Sequence, residues 1–185
     1  MAVTPSRCKR DLRFSFLLSF GRGRGASKRK EAALSATNFH LAQMNIGRVR
    51  APLPDPIMAG FVALLDTVNA EAERSPGFVW RLQGESGESS SYLRAYPDPL
   101  LLVNLTVWES PDALHAYTYR SGHAAVFRRR KEWFETSDRP YVVLWWLPAG
   151  QVPSIEEGKA RLEHLWEHGP TPFAFTFRQQ FPPPE

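Results

Sequence analysis

The sequence predicts an α+β fold: a four-stranded antiparallel sheet with helices on one face, followed by a further helix and a short strand. Three observations predict it. Four segments between His40 and Leu147 are rich in apolar, β-branched and aromatic residues, alternating or continuous, as strands are. Helical periods bounded by capping and stopping residues fall after the first and third of these segments. No helical period separates the second from the third. The order β-α-β-β-α-β is the ferredoxin-like arrangement.

The elements follow in chain order. His40-Leu41-Ala42-Gln43-Met44-Asn45-Ile46 alternates with period two and reads as the first strand. Asp55-Pro56 supplies an N-cap and a proline at the first helical position. Ile57, Phe61, Leu64, Leu65 and Val68 recur at helical spacing until Ser75-Pro76-Gly77 stops the helix. Phe78 to Leu82 is the second strand, and Gly84 to Ser91 is a polar loop of the kind that tolerates variation. Leu101 to Trp108 is the third strand, ended by a second cap-plus-proline start, Ser110-Pro111. Two helical pieces follow, Asp112 to Tyr119 and His123 to Glu135, broken at Ser121-Gly122. Tyr141 to Leu147 is the fourth strand. Ser154-Ile155-Glu156-Glu157 matches a capping box and opens a helix that Gly169-Pro170 ends. Phe173, Phe175 and Phe177 alternate in a last short strand before the prolines.

The chain has 185 residues, 43% of them apolar, enough for one domain with a real core. A collagen-like or wholly disordered chain is excluded. The net charge of +4 is unevenly spread: nine cations and two anions precede His40, while the remainder holds more anions than cations. The basic character therefore belongs to the N-terminal stretch, and nucleic acid is not an expected partner except through that stretch. Residues 1–37 are expected to form a disordered basic extension, residues 38–182 the domain, and 183–185 a tail. The patch Phe14 to Phe20 between Arg-rich flanks leaves several readings of the extension open: a secretory signal, an organellar transit peptide, a translation start assigned upstream, or a basic arm. The single cysteine, Cys8, allows no intrachain disulfide, and no apolar run reaches the length of a membrane span. A cytoplasmic protein with no membrane partner is expected.

One strand face is polar at matched positions. Gln43 and Asn45 share a face of the first strand, Arg81 and Gln83 of the second, and Asn104, Thr106 and Trp108 of the third. If that face looks toward the helices, these residues line a cleft for a small molecule; the same residues also suit a purely structural hydrogen-bond network. His123, just after the Ser121-Gly122 break, could act as acid or base near neutral pH or pack at the helix start against Tyr119. Arg128-Arg129-Arg130-Lys131 spreads around its helix and suits either an anionic substrate or a solvated surface with ion pairs to Glu132 and Glu135. His164-Leu165-Trp166-Glu167-His168 matches the inverted zinc-protease pattern but lacks a third ligand, so no metal is expected. The fourth strand is apolar on both faces, so something must cover the second face. A second copy of the sheet would do this and make a two-fold homodimer; the added C-terminal elements would do it within one chain.

Several blocks, in order, resemble one family. They include His40 to Arg48, Ser75 to Gln83, Leu102 to Glu109, Tyr119 to His123, Arg128 to Phe134 and Leu144 to Gly150. The family is the domain of unknown function numbered 3291, which is similar to the antibiotic-biosynthesis-monooxygenase-like dimeric α+β barrel superfamily. The resemblance implies a homodimer binding a small molecule, and it brings no established reaction. Cofactor-independent members of the superfamily imply an enzyme that oxidises an electron-rich substrate with O₂, with His123 as the base. Haem-degrading members use an Asn on the first strand, a Trp, and a His on the following helix. Asn45, Trp108 and His123 are the matching candidates, so haem is the one cofactor the resemblance admits; otherwise none is expected. The catalytic candidates are thus His123, Asn45 and Trp108, and the substrate-binding candidates are Arg81, Asn104, Gln43, Thr106 and Tyr119. A non-catalytic ligand-binding or structural dimer is the alternative.

Nothing before Ala36 follows a core period. A chain beginning there is expected to keep the melting temperature of the full chain, whereas roughly 1 kcal/mol of lost packing would lower it by about 2–4 °C. Thermal unfolding of the two chains by circular dichroism makes the comparison.

Overall fold

The computed structural model describes residues 38–120 and 128–185. The basic extension and the Ser121-Gly122 break with His123 lie outside the described residues. Strand β1 (Phe39–Arg48) is central, flanked by β3 (Leu101–Trp108) and β4 (Val142–Pro148), with β2 (Phe78–Arg81) beyond β3. The order β2-β3-β1-β4, antiparallel throughout, is the ferredoxin-like topology that the sequence predicts.

The helix signals act largely as read. Asp55 Oδ1 accepts from the Ile57 amide at 2.9 Å and opens a 3₁₀ turn, Pro56–Met58, that runs into α1 (Ala59–Arg74). Beyond α1, Gly77 has φ +79°, and a side chain there would meet Ala113 Cβ at 2.6 Å. Helix α2 (Pro111–Arg120) is held at its start by Ser110 Oγ, which accepts from Ala113 N at 3.2 Å. Ser154 caps α3 (Ile155–His168) by accepting from Glu157 N at 3.0 Å. The capping box is only half made, because the Glu157 carboxylate reaches forward to Arg161 at 2.8 Å.

Three elements differ from expectation. The helix expected to run to Glu135 tightens at Arg130–Glu132 into a 3₁₀ turn, and Phe134 then bridges Val49 beside β1. The last strand is reduced to one rung: Phe175 and Leu144 exchange backbone hydrogen bonds at 2.8 and 2.9 Å along the outer edge of β4. Strand β2 is bulged between Phe78 and Trp80, so that Phe78 stands opposite Trp108 while Arg81 stands opposite Thr106. The extra residue puts Phe78 and Arg81 on one face despite their opposite parity.

The two sheet faces are covered by different helices. Leu41, Trp108 and Leu144 pack with Ala72 of α1 and Leu114 of α2. Ala42, Met44, Leu105, Val143 and Trp145 look the other way and pack with Leu162 and Leu165 of α3. Gly158 lets α3 approach so closely that a Cβ there would lie 2.4 Å from Met44 Sδ. Val143 and Trp145 are 0% exposed in the single chain. The cover that the doubly apolar β4 demands therefore comes from α3 of the same chain, and this face does not call for a second copy.

Leu162 is fully enclosed in that seam. Leu162→Ala should cost about 2–5 kcal/mol of stability through lost burial and a residual cavity, read as a lower urea midpoint with an unchanged slope.

Candidate functional site

The β1–β3 register sets the site. Gln43 pairs with Thr106 and Asn45 with Asn104, while Leu41 pairs with Trp108. All five polar-face residues of these two strands point toward α1 and α2, as the period-two reading requires. Their side chains form one chain of hydrogen bonds. Trp108 Nε1 donates to Thr106 Oγ1 at 2.9 Å, and Thr106 donates to Gln43 Oε1 at 2.9 Å. Gln43 Nε2 then donates to Asn45 Oδ1 at 2.9 Å, and Asn104 Nδ2 donates to the same oxygen at 3.1 Å. Gln43 and Thr106 are 6% and 5% exposed, so their bonding is obligatory. Asn45 and Asn104 are less enclosed, and Asn45 Nδ2 and Asn104 Oδ1 are left over at the end of the chain.

Those two amides border a cavity of about 240 Å³ between the sheet and α1–α2. Its walls are mainly apolar: Phe61, Leu65 and Val68 from α1, Leu114 and Tyr117 from α2, and Phe177 from the C-terminal segment. Gln43, Arg81, Thr106 and Tyr119 also line it. Arg81 donates through Nε to Glu73 at 2.7 Å and through Nη2 to the Gly87 carbonyl at 3.3 Å. Tyr119 is 48% exposed, with its ring 4.6 Å from that of His115. Trp108 does not reach the cavity. It is 0% exposed, stacked on Tyr117 at 5.0 Å and edge-on to Phe78 at 5.4 Å. Its contribution is to hold Thr106. Gln83 lies past β2 and bridges Ser89 instead of extending the polar face.

Several wall residues were not legible in the sequence. Ser89 and Ser90 belong to the stretch read as a variable loop, yet they are 5% and 3% exposed. Ser89 caps the 3₁₀ turn Ser90–Tyr92, which puts these serines on the cavity wall. Tyr117 is a second case. Its hydroxyl donates to the Val68 carbonyl at 3.3 Å, and burial first, then the nearby Glu71 carboxylate, push its ionisation far upward. The phenol stays neutral and is no proton acceptor at ordinary pH. Arg130 is the third. The basic run divides its work: Arg129 pairs with Glu132 at 2.9 Å on the surface, while Arg130 turns to the cavity and lies over the Tyr141 ring at 4.0 Å.

Haem does not fit this site. The cavity is smaller than the roughly 300–1,000 Å³ usual for a drug-sized ligand, and the Trp matched to haem chemistry is sealed in the core. No group of three metal-ligating side chains exists among the described residues. In the His-x-x-Glu-His run, His164 bonds Thr171 at 3.0 Å and stacks on His168 at 4.3 Å. No helix among the described residues is long and apolar enough to cross a membrane.

A family model described as Domain of unknown function (DUF3291) matches residues 40–185. No curated protein matches the chain. Among solved structures, the chain is similar to SnoaB, a cofactor-independent oxygenase from Streptomyces nogalater. They share 17% identity over 62% of this chain and 96% of the other, with a TM-score of 0.40. A conserved protein from Methanosarcina mazei Go1 matches at 14% identity, over 62% and 96% of the two chains, with a TM-score of 0.40. A protein of unknown function from Nitrosomonas europaea matches at 11% identity, over 64% and 98%, again at 0.40.

The Thr106 hydroxyl is the link between the indole and the amides. Thr106→Val keeps the shape but strands Trp108 Nε1 and Gln43 Oε1, at a cost of about 1–3 kcal/mol. Urea unfolding measures the loss, and the near-ultraviolet signal of Trp108 should change with it.

Proposed function

The chain belongs to the family described as Domain of unknown function (DUF3291), and we propose that it is a small-molecule-binding protein whose site is the cavity between the sheet and α1–α2. The observation that carries this reading is the hydrogen-bonded row from Trp108 to Asn104, which ends in spare amide groups at a mainly apolar cavity. A purely structural network would close on itself. Here the outermost members keep one donor and one acceptor for something else. Thr106 and Gln43 fix the orientation of Asn45, and Trp108 fixes Thr106, so the recognition groups are held rigid before a ligand arrives.

In the catalytic form of this reading, Asn45 and Asn104 hold the oxygen of an electron-rich substrate as it becomes an anion. His123 takes the proton, and O₂ oxidises the anion, one of its oxygen atoms ending in the product and the other in water. Arg81, Gln43, Thr106 and Tyr119 shape and polarise the site. In the non-catalytic form the same groups bind a ligand that leaves unchanged. The two differ in whether oxygen is consumed.

Native mass spectrometry of the purified protein is expected to show a bound small molecule. Asn45→Ala and Asn104→Ala should release it; Asn104→Ala should shift the melting temperature little, whereas Asn45→Ala also strands the buried Gln43 Nε2 and should lower it. Retention of the same molecule by both variants would sink the assignment. If the bound molecule is a substrate, adding it with air should draw down oxygen in an electrode cell, and His123→Ala should stop this without displacing the molecule.

A further inference from the structure

The cavity is electrically one-sided. Two guanidinium groups, Arg81 and Arg130, are among its lining residues, and among the described residues no Asp or Glu is. The strand register places the pair. Arg81 stands beside the Gln43–Thr106 rung, and Arg130 lies over Gly47, with its Nη2 3.4 Å from where a Cβ at Gly47 would sit. The Asn45–Asn104 rung lies between these two levels.

Neither cation is fully matched. The Arg81 side chain is 11% exposed and its Nη1 is buried with no hydrogen-bond partner. Its only carboxylate partner among the described residues, Glu73, is 46% exposed and contacts Nε alone. Arg130 has no carboxylate partner among the described residues; it lies over the faces of Tyr141 and Phe134 at 4.0 and 5.3 Å. An aromatic face attracts a cation but does not cancel its charge. A site with low-dielectric walls and an excess of positive charge favours an anion, and a guanidinium favours a carboxylate in particular. The remaining wall is ring-rich: Phe61 and Phe134 meet edge-on at 5.2 Å, with Trp133, Tyr117 and Phe177 nearby.

We infer that the ligand of this cavity is a small aromatic carboxylate, its acid group near the Asn45–Asn104 rung between Arg81 and Arg130 and its ring against the aromatic wall. The inference rests on the small-molecule reading above and names its ligand class. Phosphorylated ligands suit the site less, because the walls offer rings where a phosphate needs a nest of donors.

The test uses 2-naphthoate and its neutral, near-isosteric amide, 2-naphthamide, titrated into the full chain by calorimetry. Naphthoate should bind about tenfold or more tightly than naphthamide. Arg130→Met should erase that preference by weakening naphthoate far more than naphthamide, and Arg81→Met should do the same. Because Arg81→Met could also disturb β2, Glu73→Gln provides a second variant at an exposed position: by removing the carboxylate that competes for Arg81, it should tighten naphthoate binding alone. Equal affinity for acid and amide, or a preference that survives Arg130→Met, overturns the carboxylate inference and leaves the cavity reading standing. Binding of neither probe overturns both.

Discussion

Opposite Gln43, on the neighbouring strand, stands Thr106, and that pairing decides which way every side chain of the two central strands points. Slipping β3 by one residue would carry Asn104, Thr106 and Trp108 to the α3 side and bring Val103, Leu105 and Val107 against the amides. The two hydrogen bonds that cross between these strands, Thr106 to Gln43 and Asn104 to Asn45, would be lost, the first in a place where neither residue has water to replace it. The polar row thus does two things at once. It selects a single register for an otherwise apolar sheet, and it presents the outer amides at the cavity.

The two faces of the sheet resolve the same problem differently. On one, Met44, Trp145, Leu162 and Leu165 interlock, and Gly158 removes the last obstacle to contact. On the other, α1 and α2 touch the sheet at Ala72 and Leu114 but leave a void above Asn45 and Asn104. Empty volume above partly enclosed polar groups is costly to keep, since the same space filled with methylenes would add stability. A fold that packs one face tightly has shown that it can; the opening on the other is a feature of that face.

Much of this was legible in the sequence, for identifiable reasons. Asp55, Ser110 and Ser154 begin helices because their side chains reach backbone amides only a few residues away, a local interaction that a short motif encodes. The shared face of Gln43, Asn45, Asn104 and Thr106 follows from period two once antiparallel pairing is granted. The bulge in β2 was not legible, because Phe78-Val79-Trp80-Arg81 contains no glycine or proline to mark it. The demand for a cover over β4 could be read from Tyr141 to Leu147, but the choice between α3 and a second copy depends on whether a distant helix can approach. The clue was Gly158 in an otherwise amphipathic helix. Ser89 and Ser90 misled because serine composition looks the same whether the hydroxyls cap a buried turn or face water. Arg130 could not be told from its three cationic neighbours, since only tertiary packing separates them.

The position of α3 in the chain also sets the order in which the molecule can be completed. The sheet exists in outline once β4 has been made, yet Val143, Trp145 and Met44 find their cover only in residues after Pro148. Phe175 closes the edge of β4, and the Phe181 carbonyl accepts from Trp146 Nε1 at 2.8 Å later still. A ribosome adds about 5–20 residues per second, so for some seconds the nascent chain presents a bare apolar sheet face and an open strand edge. Final burial is deferred until α3 and the segment through Phe181 have been made, and during that interval the bare face and open edge are exposed to pairing with other chains.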